Sequence, residues 1–404
     1  MKKLFWLLWF SGFISYAQTD FTRIYHPIIN EAELAIVDTS YYEALEFYKE
    51  AFANVEKPFA KDYYNAAICA TLIDKMPLAF DFLEKIVEKG YQVKNFRKDN
   101  FFKTVADTCK QWAAFEKRAL LIKPHIDTEL SDSLRKIYQH MHLPPFARIT
   151  PQLRDYYKTH NKDTKWVPVD SLIFMKEMPK LLLAQVDSLR KVNDTKRVIA
   201  TEEAFMKTYR ILESVGFPDE NLIGLNQETP KEFLVMGSYI HSKSFLLENT
   251  FIPSILSSAL STQKGPDIDI MPLIKQAIRD GRAHPAIISW LMNYSPDEPY
   301  TMGRVLVFQV RLENNTPCPN NKQTENPEQF FWRKEKPSIL TEHEINEKRQ
   351  SIGLEKLEDT YKKAFFKARP TPFLIYTGIY QAELSYVANC EMMEKMIAGA
   401  VLIR

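Results

Sequence analysis

Glycine is scarce in this chain, with 11 residues in 404 against roughly 7% in an average protein, and that scarcity favours helices. Cysteine is scarce too. Its four copies, Cys69, Cys109, Cys318 and Cys390, show no CxxC or zinc-type spacing, which excludes a disulfide framework and a sequence-encoded zinc site. Basic and acidic residues are interspersed with a net charge of +2, so the electrostatic footprint of a nucleic-acid or acidic-membrane binder is missing. A Gly-rich phosphate loop, a GxSxG nucleophile elbow and an HExxH helix are all absent, which removes the commonest nucleotide, esterase and metalloprotease chemistries. The final apolar run, Met396 to Ile403, is too short to span a bilayer.

What is present begins at the N-terminus. Lys2 and Lys3 precede an apolar stretch from Leu4 through Ile14, and Ser15-Tyr16-Ala17 supplies the small residues a signal peptidase needs. Residues 1–17 are expected to be a signal peptide cut after Ala17, sending the chain to a Gram-negative periplasm or beyond, with no stable membrane span afterwards. No cysteine lies near the cut, which argues against a lipid-modified terminus.

The next signal is an echo. Ala44, Tyr48 and Ala51 are followed 35 residues later by Ala79, Leu83 and Ile86, and each set lies at helical spacing. Twelve and nine positions before each leading alanine stand Ala32 and Ala35 in the first copy, Ala67 and Ala70 in the second. Tyr63 precedes Ala67 by four residues, and Ile28 is its counterpart. Small residues let paired helices approach closely. These spacings resemble the tetratricopeptide repeat, a helix-turn-helix unit of about 34 residues, with Ala32 and Ala67 in place of the usual glycine. The resemblance implies a short solenoid whose concave face holds a peptide or protein partner; the bland alternative is a packing platform for the next domain. Phe101, Phe102, Trp112 and Phe115, then Leu130 to His142, continue as helices. Cys69 is expected as a small buried hydrophobe, with a Cys69–Cys109 bridge as its rival, and Cys318 as the exposed thiol.

Leu143-Pro144-Pro145 marks a boundary, and 143–179 reads as a connecting segment. Beyond it, helices are expected over Pro179 to Val192, from a Thr201 cap to Gly216, from the Thr229-Pro230 capping box toward Glu248, over 270–280, from Pro285, from the Thr341 capping box to Gly353, and over Leu354 to Phe366. Two candidate strands lie at 304–310 and 371–380. The fold class is therefore mainly α: a short tetratricopeptide-like solenoid over 18–142, a predominantly helical domain over 180–366 with a few candidate strands, and a C-terminal segment over 367–404.

Asp187-Ser188-Leu189-Arg190, Val215-Gly216-Phe217-Pro218, Ile240-His241, Asp280-Gly281 and Asn346 through Leu354 together resemble a family of exported bacterial proteins with no established activity. That resemblance implies the extent of the 180–366 domain and nothing about chemistry. The candidate catalytic constellation is Asp187, Arg190, His241 and Arg349, with the imidazole moving protons and the guanidiniums gripping an anion. Each has a plainer reading. His241 shares its helix face with Leu234, Ser238 and Phe245, Arg190 pairs with Asp187 one turn away, and Arg349 sits at a helix C-terminus. His140-Met141-His142 lacks a third metal ligand, so no metal and no cofactor is expected. The sequence thus points to an exported envelope protein that binds a protein or peptide and no nucleic acid. A hydrolytic enzyme centred on His241 is the alternative.

Overall fold

The computed structural model describes residues 20–141, 180–225, 251–261, 268–292, 305–312, 330–334, 340–367, 370–376, 383–387, 389–398 and 400–403. The expected signal peptide, the 143–179 connection, the Thr229 capping box, His241 and Cys318 lie outside them. Within them the protein is mainly α.

A one-turn helix, α1 (Phe21–Ile24), is capped by Asp20, whose carboxylate accepts from the Thr22 N–H at 3.0 Å. Four helices follow in two antiparallel pairs: α2 (His26–Val37) with α3 (Tyr41–Ala53), and α4 (Ala60–Leu72) with α5 (Met76–Glu88). Ala32, Ala44, Ala67 and Ala79, the four positions matched across the 35-residue interval, are all fully buried. The turns repeat as well. Thr39 and Asp74, 35 residues apart, both take left-handed backbone (φ 60° and 58°). Each is followed by an N–H that reaches back five residues, Ser40 to the Ala35 carbonyl and Lys75 to the Ala70 carbonyl, both at 2.8 Å. Both helices therefore end in the same six-residue closure, which satisfies their last carbonyls.

The helical run continues through α6 (Val93–Phe96), α7 (Asn100–Thr108), α8 (Trp112–Ala119) and α9 (Thr128–Met141). Phe80 stacks on Phe115 at 5.0 Å, and Trp112 meets Phe115 edge-on at 5.1 Å, so aromatic side chains seal this end.

Thr201 does not start a helix. It is buried inside α10 (Lys180–Val215), a single 36-residue helix, because the stretch between Lys191 and Ala200 contains neither glycine nor proline to break it. Gly216, at φ +73°, ends it as expected. Next come α11 (Glu220–Ile223), α12 (Phe251–Ser261), α13 (Met271–Arg279) and α14 (Pro285–Met292). The hairpin between the last two turns at Gly281, φ +68°, where an added Cβ would stand 2.3 Å from Phe21 Cζ. Gly281→Ala combines backbone strain with that clash and should cost roughly 2–3 kcal/mol. Urea denaturation checks this, with Ala283→Gly in the same turn as the comparison.

The expected strand near 304–310 is present as β1 (Val305–Leu312). It pairs antiparallel with β2 (Phe330–Lys334) and parallel with β3 (Glu383–Val387), and β4 (Val401–Ile403) completes a sheet of order β3-β1-β2-β4. Between β2 and β3 lie α15 (Glu342–Ser351) and α16 (Leu357–Lys367); α17 (Cys390–Ile397) precedes β4. The Thr341 capping box is complete, with Glu344 returning a bond to the Thr341 N–H at 2.7 Å.

The described part of the candidate strand at 371–380 is not a strand. Residues 371–376 form a bent, extended strap. Pro372 has no N–H to donate, and the main chain of Leu374 is bonded by a side chain instead of a neighbouring strand. Phe373, Leu374 and Ile375 join the same core as α2 through α8. A second core gathers Leu134, Phe205, Leu212, Leu256, Ile274, Ile278 and Leu354. Cys69 and Cys109 are free thiols, so the bridge between them does not form, whereas Cys390 is disulfide-bonded.

Candidate functional site

The densest chemistry in the described residues lies where α2 and α4 meet α16 and the strap. Helix α4 has almost no free face. Ala60, Lys61, Asp62, Tyr64, Asn65 and the run from Ala66 to Ala70 are all buried, so its polar side chains must find partners inside the protein.

They do so through one chain of contacts. Glu33 of α2 accepts from the ammoniums of Lys61 and Lys363, each at 2.7 Å. Lys61 also donates to Asp62 at 2.5 Å, and the other Asp62 oxygen accepts from the Tyr25 hydroxyl at 2.6 Å. Lys363 lies 3.8 Å from Glu355, whose second oxygen accepts from the Thr360 hydroxyl at 2.9 Å. Arg349 completes the series, donating to Thr360 at 2.6 Å and to the Glu355 carbonyl at 2.8 Å. Three cations face three carboxylates, and this balance lets so many charges sit out of water.

The proton affinities follow from that placement. Burial alone would push the Glu33 carboxyl up, but Lys363 and Lys61 together outweigh it and hold it below the usual carboxylate range. Burial likewise disfavours the Lys61 ammonium, and Asp62 with Glu33 reverses that and raises it. For Asp62 burial wins over Lys61, and its carboxyl is raised. Two histidines border the network. Burial, then the charge of Lys61, lowers His26 to about 3; burial, Lys61, His26 and Lys363 drive His284 well below its ordinary value. Both rings are neutral at pH 7. They meet edge-on at 5.5 Å, and His26 stacks on Phe59.

One contact differs in kind. The Asn65 side chain donates through Nδ2 to the Leu374 carbonyl and accepts the Leu374 N–H on Oδ1, both at 2.8 Å. An amide that satisfies both main-chain groups of one residue reads extended backbone without regard to sequence. A comparable tie joins α4 to α11. Glu220 accepts from the Ala60 N–H at 2.7 Å and pairs with Lys89 at 3.0 Å.

The expected catalytic residues fall as follows. Asp187 and Arg190 lie one turn apart in α10, and His241 is outside the described residues. Arg349 is 1% exposed and its polar contacts are Glu355 and Thr360, so it is an interior cross-link between α15 and α16. Among the described residues no three His, Cys, Asp or Glu side chains group as a metal site, and His140 lies 3.7 Å from Glu203. No helix among them is long and apolar enough to cross a membrane.

The sequence reading missed Glu33, Lys61, Asp62, Asn65 and Lys363. No local signal marks them: Lys61, Asp62 and Asn65 fall on one side of α4, away from Ala60, Ala66, Ala67 and Ala70, as a solvated face would. His284 had its own signal, since it directly precedes a proline-initiated helix and its Nδ1 accepts the Ala286 N–H as an N-cap.

These features define a mainly α protein in which paired N-terminal helices clamp an extended C-terminal strap over a balanced ionic interior. No family model, curated protein or solved structure matches the chain.

Proposed function

We propose that this is an exported, non-enzymatic binding or scaffold protein of the cell envelope, in which tetratricopeptide-like helix pairs act as a backbone clamp. The observation that carries the reading is the two-bond grip of Asn65 on Leu374. The α4 face does to residues 371–376 what a repeat groove does to a bound peptide, and this fixes the N-terminal helices to the C-terminal region as one platform for a protein partner. Export is supported by the N-terminal signal and by the disulfide at Cys390, a bond suited to oxidising compartments. The interior position of Arg349 weighs against the hydrolytic alternative, because a guanidinium enclosed by Glu355 and Thr360 has no free donor face for substrate.

Asn65→Ala in the full mature chain should leave both Leu374 main-chain groups unsatisfied and cost about 2–3 kcal/mol. Hydrogen exchange is expected to show lost protection at Leu374 while α12 and α13 stay protected; unchanged exchange there would remove the clamp. Envelope crosslinking with His241→Ala and with the wild type is expected to recover the same partner. Hydrolytic turnover of an ester or peptide panel that disappears in His241→Ala would instead install the enzyme reading.

A further inference from the structure

A groove of about 420 Å³ runs between α9 and α10, far from the strap in sequence and built from one face of each helix. Ser133, Lys136, Ile137 and His140 recur at intervals of three and four on α9; Ala204, Lys207 and Ile211 do so on α10, with Arg210 beside them. Ile137 and Ala204 are buried and form an apolar floor. Lys136, Lys207 and Arg210 stand exposed along the rim, and among the described residues none of the three has a carboxylate partner. The adjacent acid Glu203 is turned to His140. Some exposed lysines of this protein are paired along their own helix, as Lys49 with Glu46 and Lys103 with Asp107 are. What sets this groove apart is convergence: three cations without a carboxylate partner border one apolar floor.

We propose that the α9/α10 groove is a binding site for an acidic peptide segment, in which carboxylates flank an apolar side chain. The carboxylates pair with Lys136, Lys207 and Arg210, the Ser133 hydroxyl supplies a further donor, and the apolar side chain rests on Ile137, Ala204 and Ile211. From Ser133 to His140 the helix advances roughly 10 Å, which is the length of about three extended residues. The footprint is thus a Glu-Leu-Glu-like tripeptide. This goes beyond the strap clamp and stands without it, since none of these residues touches the Asn65 contact.

The test uses the full mature protein and a fluorescein-labelled peptide carrying Glu-Leu-Glu, followed by anisotropy. Binding should weaken as salt rises and the Debye length falls below about 10 Å. Lys207→Glu/Arg210→Glu should weaken it at least about tenfold, whereas Lys94→Glu, exposed on α6, should leave it unchanged. A Gln-Leu-Gln peptide should bind at least about tenfold more weakly. Thermal melts check the fold; if the double reversal lowers the melt, Lys136→Gln and Lys207→Gln replace it, each expected to lose about threefold. Unaltered affinity in the rim variants, or equal binding of the neutral peptide, overturns the proposal. Inorganic tripolyphosphate is titrated in parallel, and tighter binding of that anion than of the peptide would make this a phosphate site and overturn peptide recognition. Loss of strap protection in Asn65→Ala with peptide binding intact separates this site from the clamp.

Discussion

Glu33→Ala is expected to lose about 3–5 kcal/mol of stability, the largest effect of any single substitution considered. The carboxylate is 3% exposed and accepts from two ammoniums that are themselves nearly inaccessible. Without it Lys61 keeps Asp62, but Lys363 is left with Glu355 at 3.8 Å. A charge stranded in the interior costs far more than a pair contributes, so the loss should rival a large share of the ~5–15 kcal/mol that holds a typical domain folded. Glu46→Ala, which removes an exposed i, i+3 partner of Lys49, should change stability by less than about 0.5 kcal/mol. Removing both charges with Glu33→Met/Lys363→Met should recover part of the loss, because Lys61 still has Asp62 and no unpaired ion remains. Urea denaturation of the wild type and these three variants checks the order of losses; a Glu33→Ala loss under about 1 kcal/mol would mean that water reaches this interior.

Acid should destabilise the protein well above the range in which ordinary carboxylates titrate. His26 has a folded value of about 3 against ~6.5 in an unfolded chain. The unfolded chain therefore binds a proton that the folded protein refuses. Stability from this ring is complete above about pH 6.5 and falls by about 1.4 kcal/mol per pH unit as pH drops toward 3, reaching about 2 kcal/mol by pH 5. His284 is shifted the same way and adds to the slope. Glu33, held low by Lys363 and Lys61, keeps its contribution until more acid pH. Asp62 and Glu220, whose carboxyls burial pushes up, take protons in the folded protein first and so oppose the loss toward the acid end. Denaturation midpoints from pH 7.5 to 5 should show this slope in the wild type, and His26→Leu should reduce it by about one proton whatever its absolute stability. An equal slope in both proteins would rule out a neutral interior imidazole.

Much of the helical part was legible because its signals are local. Ala32, Ala44, Ala67 and Ala79 announce close helix crossings, the Thr341 capping box and Gly216 announce a start and a stop, and all lie where the structure has those features. Thr201 misled because a cap residue in isolation resembles one inside a long helix; only the lack of a breaker upstream distinguishes them. The interior network was illegible for another reason. Its contacts join residues about 300 positions apart, Asn65 to Leu374 and Glu33 to Lys363, and no periodicity records such a pairing. The 371–376 strap carries β-branched and aromatic residues typical of a strand, yet its hydrogen bonds go to a side chain that local sequence cannot reveal.

The same long separation bears on the order in which the chain matures. Synthesis proceeds from the N-terminus, so α2 and α4 emerge with Glu33, Lys61 and Asn65 lacking Lys363 and Leu374, which follow some 300 residues later. Until then the helix pairs present a polar, incompletely satisfied face, and closure waits for residue 376 to leave the ribosome. Folding is thus a late event timed by the C-terminus, and a chain truncated before Pro370 would keep that face open and vulnerable to proteases.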